Sequence, residues 1–166
     1  MKNTNSIMLD TTYVLPLFGI KVNLFENFKE EFRQLWKNGL KRYDVYLPSM
    51  CLIETMFKLL NEYRKKEDMS ILERYHLILP TVLNSPIKIF NPEIDIKSSS
   101  AASIIRSSGH LDYMDCWIAG SAVSINSILL TEDKELINIL KSIPETKNLI
   151  IWSWSDLVIN IFKKKK

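Results

Sequence analysis

Short apolar runs alternate along this chain with longer stretches whose apolar residues recur at helical spacing. Ser6-Ile-Met-Leu-Asp10 is an apolar run closed by an acid, and Thr11-Thr12 then leads into Tyr13-Val-Leu-Pro-Leu-Phe, which predicts a buried strand followed by a helix start. Over residues 22–39, Leu24, Phe25, Phe28, Phe32, Leu35 and Trp36 share one face while Glu26, Lys29, Glu30 and Arg33 fall between them, predicting an amphipathic helix closed by Gly39. Asp44-Val-Tyr-Leu-Pro48 reads as a strand stopped by proline. Ser49 then caps a helix with Leu52, Ile53, Met56, Phe57 and Leu60 on one face.

Ile71, Leu72, Tyr75 and Leu79 predict a further helix, residues 87–90 a strand, and the serine cluster at 98–100 another helix start. Gly109-His110 breaks the pattern before Tyr113, Met114, Trp117, Ile118, Ser121, Ala122 and Ile125 resume it. Residues 127–131 read as a strand, with Glu132-Asp133 opening a helix that carries Leu136, Ile137 and Leu140. A last strand over 149–152 precedes a short helix from Ser155. Strands alternating with helices over nearly the whole length predict an α/β layer structure with a mainly parallel sheet. In such folds the active surface lies outside the carboxyl ends of the strands.

Length and composition agree with that picture. A chain of 166 residues fits one domain, and 46% hydrophobic with 25% charged residues argues against disorder. The net charge of +3 is less informative, because four of the 22 basic residues are the terminal lysines 163–166, and without them the 19 acids outnumber the bases by one. We therefore read residues 1–162 as the domain and 163–166 as a basic tail. The near-neutral body leaves any nucleic-acid contact to a local patch or a metal ion.

Cys51 and Cys116 are too few for a disulfide framework and read as small buried hydrophobes. The apolar N-terminal stretch is interrupted by Asp10 and lacks a small-residue cleavage site, and no apolar run is long enough to span a bilayer. The expectation is a cytoplasmic protein with no membrane association.

The acids at strand ends are the candidate chemistry. Asp10 closes the first strand, Asp133 follows the strand that ends at Thr131, and Glu54 and Asp115 are expected in the first turns of helices that follow a strand or a loop. Each has apolar neighbours, so partial burial is expected, and several carboxylates buried together are costly unless a cation neutralises them. Mg²⁺ or Mn²⁺ suits such oxygen ligands and can activate water against a phosphodiester without a protein nucleophile. Acids at helix starts also serve as plain caps, and that reading stands beside the first.

Four segments carry a resemblance. Leu9-Asp10-Thr11-Thr12, Ser49-Met-Cys-Leu-Ile-Glu54, Leu111-Asp112-Tyr-Met-Asp115-Cys-Trp-Ile-Ala119-Gly-Ser-Ala122 and Leu129-Leu-Thr131-Glu-Asp133-Lys-Glu-Leu136 together resemble a PIN domain across nearly the whole chain. The resemblance implies a three-layer α/β/α fold and a nuclease centre in which Asp10, Glu54, Asp115 and Asp133 are both catalytic and metal-holding, with Mg²⁺ or Mn²⁺ as cofactor. Thr131 takes the family's hydroxyl position two residues before the last acid, to hold the metal's water shell or a phosphate, against a plain role as a cap. Thr11 orients Asp10 or satisfies backbone. Asp112 is an additional acid, read as an exposed helix-start carboxylate rather than as support for the metal. Cys116-Trp117 stands where smaller residues are common, and packing is the expected role of the indole.

Small single-domain members resembling this chain are commonly VapC-type toxins, endoribonucleases that act on RNA, are silenced by a cognate antitoxin and are often homodimeric. The competing reading is a non-catalytic PIN-like binding module or an RNA-processing factor. A phosphatase or phosphotransferase of another α/β class is disfavoured, because with four glycines in all the chain has no phosphate-binding loop and no dinucleotide fingerprint. His76 and His110 receive no role. Arg106, His110 and Lys134 stand close to the acids in sequence and could touch phosphate near the metal, but solvated surface is the expected reading for each, and Trp152 and Trp154 are expected to pack rather than to stack bases.

Overall fold

The computed structural model describes residues 5–25 and 29–163. Five strands form one sheet in the order β3-β2-β1-β4-β5, with every pairing parallel: β1 (Ser6–Leu9), β2 (Asp44–Pro48), β3 (Lys88–Phe90), β4 (Ile128–Leu130) and β5 (Ile151–Trp152). Parallel strands need crossovers, and helices supply them: α1 (Lys29–Asn38), α2 (Ser49–Lys66), α3 (Ser70–Leu83), α4 (Ile96–Ser107), α5 (Tyr113–Ser124) and α6 (Lys134–Ser142); after β5 come α7 (Trp154–Leu157) and a π-helical turn (Val158–Phe162). This is the three-layer α/β/α architecture that the alternation predicts. Helices cover the faces of the central strands, which explains why Ile7, Met8 and Leu9 of β1 and all of β4 are buried without polar alternation.

Strand order reverses at β1. From β1 the chain moves outward through β2 to β3, then returns to pair β4 against the other side of β1, with Leu9 opposite Leu130. A crevice opens at the carboxyl ends wherever successive connections diverge in this way. The residues that follow β1 and β4 therefore share one edge.

Several local expectations need correction. The helix predicted after β1 is instead a pair of 3₁₀ turns, Thr11–Tyr13 and Leu15–Phe18, ended by Gly19 at φ 77°. Thr11, Thr12 and Val14 are β-branched and Pro16 lacks an amide hydrogen, so a regular helix has little support there. Within 22–39, a 3₁₀ turn occupies Asn23–Phe25 and α1 begins at Lys29; predicted positions Glu26 and Phe28 lie outside the described residues. Lys164, Lys165 and Lys166 lie outside them as well.

Helix α4 starts two residues before the serine cluster, because Asp95 is its cap and accepts the Ser98 amide hydrogen at 2.9 Å. Likewise α7 starts at Trp154, where Ser153 and Asp156 form a reciprocal capping box. On α2 the buried face is Cys51, Leu52, Thr55 and Leu59, so Ile53, Met56 and Phe57 of the predicted apolar face stand exposed.

The remaining packing agrees with expectation. Both cysteines are buried and free. Trp154 is buried and stacks on Tyr13 at 5.7 Å between ring centres, Trp152 meets Tyr43 edge-on at 6.0 Å, and Trp117 meets Tyr113 edge-on at 6.0 Å. No helix among the described residues is long and apolar enough to cross a membrane.

Candidate metal centre and active site

Asp10 leaves β1 directly, and its amide still donates to the Leu130 carbonyl at 3.1 Å, which keeps it in register with the end of β4. Its carboxylate is buried, with Oδ2 accepting a 2.7 Å hydrogen bond from the Thr131 hydroxyl. The same hydroxyl oxygen accepts the Asp133 amide hydrogen at 3.2 Å. One buried threonine thus ties the acid after β1 to the turn after β4. Asp133 caps α6 itself, accepting the Leu136 amide hydrogen at 2.9 Å through Oδ1.

Glu54 and Asp115 come from helices. Glu54 sits in the second turn of α2, where the Thr11 hydroxyl donates to its Oε2 and Lys58 Nζ lies 3.0 Å from its Oε1. The Thr11 hydroxyl therefore orients Glu54, while the Thr11 backbone amide acts on the Asp10 carboxyl. Asp115 sits in the first turn of α5 and is largely buried, with 17% of its side chain exposed. Asp112 is exposed and caps that helix, its Oδ1 accepting the Met114 and Asp115 amide hydrogens at 2.9 and 3.4 Å. Its observed work is the cap.

The electrostatics of this edge are those of crowded carboxylates. Burial pushes the Asp10 carboxyl up to about 6; the Thr131 hydrogen bond opposes the rise and the charge of Glu54 adds to it. Asp115 is pushed up to about 7, by burial first and then by the charges of Asp10 and Asp112, with the contact to His110 opposing and Glu54 adding. Asp10, Glu54 and Asp115 are thus near enough to feel one another's charge. Asp133 joins them: one oxygen each of Asp115 and Asp133, with a ring nitrogen of His110, lie within 4.8 Å of one another.

That histidine is the residue which sequence reasoning missed. His110 is only 2% exposed, and its Nε2 lies 3.2 Å from Asp115 Oδ2. Arg106, expected on the surface for solvation, donates from Nη1 to the His110 carbonyl at 2.8 Å and so fixes the loop that carries the ring. The only hint in the sequence is position, since His110 stands just ahead of the capping residue of the helix that bears Asp115.

Glu132, beside Asp133, holds the loop down. Its Oε1 accepts the Tyr13 hydroxyl at 2.9 Å and the Trp154 amide hydrogen at 2.6 Å, so the loop is anchored to the core while Asp133 faces the edge cluster. Burial, then the nearby Glu132 charge, raises the Tyr13 hydroxyl far above its ordinary range. Burial likewise raises the Cys51 thiol, whose Sγ contacts the Leu9 carbonyl at 3.9 Å, and so suppresses the thiolate that nucleophilic chemistry would need. The donor set suits a divalent cation: oxygens from several elements converge, two of their carboxyls are pushed up by burial and by neighbouring carboxylates, and one buried imidazole joins them.

The profile of the PIN domain family matches residues 7–141. No curated protein matches the chain. Among solved structures, VapBC2 from Rickettsia felis bound to a DNA fragment from its promoter aligns at a TM-score of 0.59 and 18% identity, over 90% of this chain and 98% of that one. DNA-bound VapBC from Salmonella typhimurium aligns at 0.59 and 19%, again over 90% and 98%. PAE2754 from Pyrobaculum aerophilum aligns at 0.56 and 15%, over 96% of this chain and 90% of that one. At these identities the likeness is one of fold.

Proposed function

The chain belongs to the PIN domain family, and from that membership together with its carboxylate edge we propose that it is a metal-dependent endoribonuclease, the toxin of a toxin-antitoxin pair. The reading rests chiefly on one observation: acids from β1, α5 and the β4–α6 turn meet at the reversal of strand order, with two carboxyls raised to about 6 and about 7. Structural caps have no reason to accept that cost together. Asp10, Asp115 and Asp133 would hold Mg²⁺ or Mn²⁺, and Glu54 would complete the set or orient the attacking water. When bound, such an ion supplies an activated water and stabilises the charge that develops as the phosphodiester P–O bond breaks.

The chain's own residues would do the positioning. Thr131 keeps Asp10 and the Asp133 turn in fixed relation, and Thr11 fixes Glu54. Lys58 pairs with Glu54 and is placed to meet a phosphate once the carboxylate turns to the metal. An antitoxin partner follows from the resemblance to VapC-type toxins, and the exposed Ile53, Met56 and Phe57 on α2, flanking Glu54 in sequence, are apolar surface that such a partner would cover.

The test is a cleavage assay on single-stranded and structured RNA with Mn²⁺ or Mg²⁺, comparing wild type with Asp115→Asn after circular dichroism confirms both are folded. Wild type should cut, EDTA should stop it, and Asp115→Asn should lose about 100-fold or more of the rate. Co-purification with the product of the adjoining gene should silence the wild type, and light scattering should give the mass of a homodimer. Equal cutting by both proteins would sink the site assignment. A folded wild type that cuts no RNA would favour the non-catalytic binding module.

A further inference from the structure

His110 sits where an ion would need a donor. Its side chain is only 3% exposed, its carbonyl is held by Arg106, and the adjoining Gly109 takes φ 111°, a backbone that L side chains rarely adopt. The loop is therefore built to turn this ring inward. Of its two nitrogens, Nε2 faces Asp115 Oδ2, and Nδ1 is buried without a hydrogen-bond partner among the described residues. Nδ1 lies on the far side of the ring and takes no part in the donor set, whereas Nε2 is the nitrogen turned toward the acids. This one is aimed at two carboxylates, those of Asp115 and Asp133.

The spacing fits shared coordination. Two donors on adjacent corners of an octahedron with bonds of about 2.1 Å stand about 3 Å apart, and Nε2 and Oδ2 are separated by 3.2 Å. A limit of 4.8 Å for the whole trio accommodates donors across as well as beside the ion. The three donors come from the loop before α5, the first turn of α5 and the cap of α6, so tertiary structure and not a local motif brings them together.

We propose that His110 is a nitrogen ligand of the metal centre, completing a mixed His110, Asp115 and Asp133 donor set that favours a first-row transition ion, with Mn²⁺ as its representative, over Mg²⁺. The inference deepens the nuclease reading and rests on this edge being a metal centre at all. Its chemical basis is that imidazole suits transition ions, whereas Mg²⁺ prefers oxygen donors and water. An all-oxygen centre discriminates less between Mn²⁺ and Mg²⁺.

The experiment uses the full chain, freed of metal by chelator and titrated with MnCl₂. Electron paramagnetic resonance reads binding, and electron spin echo modulation reads ¹⁴N coupling to the bound ion. His110→Gln retains an N–H able to reach Asp115 but removes the imidazole, and His76→Gln is the control, since the chain has only two histidines. Wild type and His76→Gln should both show imidazole ¹⁴N coupling, and His110→Gln should lose it. The Mg²⁺ concentration that displaces half of the Mn²⁺ should fall about tenfold or more in His110→Gln.

Bound Mn²⁺ without imidazole coupling in wild type would overturn the ligand role and leave the carboxylate centre standing. Coupling that disappears in His76→Gln would overturn it too. Failure of wild type to bind Mn²⁺ would overturn both this inference and the nuclease reading beneath it. Should His110→Gln fail to fold, the wild type and His76→Gln spectra still decide the matter.

Discussion

Asp10 carries a cost that its neighbours only partly offset. The carboxyl is raised from its ordinary 3.8 to about 6, with burial the largest cause and the Thr131 hydroxyl pulling the other way. Across that interval the folded protein keeps a proton that the unfolded chain has lost, so stability in metal-free buffer falls as pH rises from about 4 through 6. Asp115, raised to about 7, acts in the same direction. For Asp10 the gap corresponds to at most on the order of 3 kcal/mol. Asp10→Asn removes the charge and keeps an oxygen to accept the Thr131 hydrogen bond. Its melting temperature in EDTA should therefore exceed that of wild type at pH 8 and match it near pH 4. A variant that melts lower at pH 8 would show that the ionised carboxylate costs nothing there. Asp10 is legible as a candidate because a run of apolar residues ending in Asp is itself a signal. His110 is not, since a single histidine in a loop has no periodicity, and its burial depends on Arg106 and Gly109 acting together in three dimensions.

Elements were legible wherever one face of a helix or both faces of a strand are buried, as with β1, β4 and α6. They were misread where a side chain from outside the apolar pattern decides the boundary, as Asp95 does for α4. The α2 face was misassigned because periodicity cannot distinguish the stripe that meets the core from a neighbouring apolar stripe left to solvent. The close packing of α4 on α5, which holds Asp115 in place, turns on Gly120. A methyl group there would stand 2.5 Å from the Ser98 carbonyl oxygen and 3.0 Å from the Ala102 amide nitrogen, both backbone atoms that can move only if the helices part. Against this, alanine gains about 1 kcal/mol of helix propensity over glycine, while overpacking costs about 1–3 kcal/mol. Contact with backbone tips the balance, so Gly120→Ala should lower the melting temperature by a few degrees. An unchanged or higher value in a thermal melt would show that α4 and α5 can separate without penalty.

At the scale of the whole molecule, a sheet that reverses at β1 brings together residues from distant parts of the chain, and so local acid-base chemistry becomes a property of global stability. Asp10 and Asp133 are 123 positions apart in sequence, yet both lie at the ends of neighbouring strands and both touch the hydroxyl of Thr131. A divalent ion bound there links these elements in the folded state only, so it raises the melting temperature by mass action. To bind, it must displace the protons that Asp10 holds up to about pH 6 and Asp115 up to about pH 7. Each pH unit below those values weakens apparent affinity by up to about tenfold for each proton displaced, or about 1.4 kcal/mol. The increase in melting temperature produced by 1 mM Mn²⁺ should accordingly be several degrees greater at pH 8 than at pH 5.5, although the metal-free protein is the less stable at pH 8. An equal increase at the two pH values would mean that the ion binds away from these carboxylates, and the metal centre would have to be sought elsewhere in the fold.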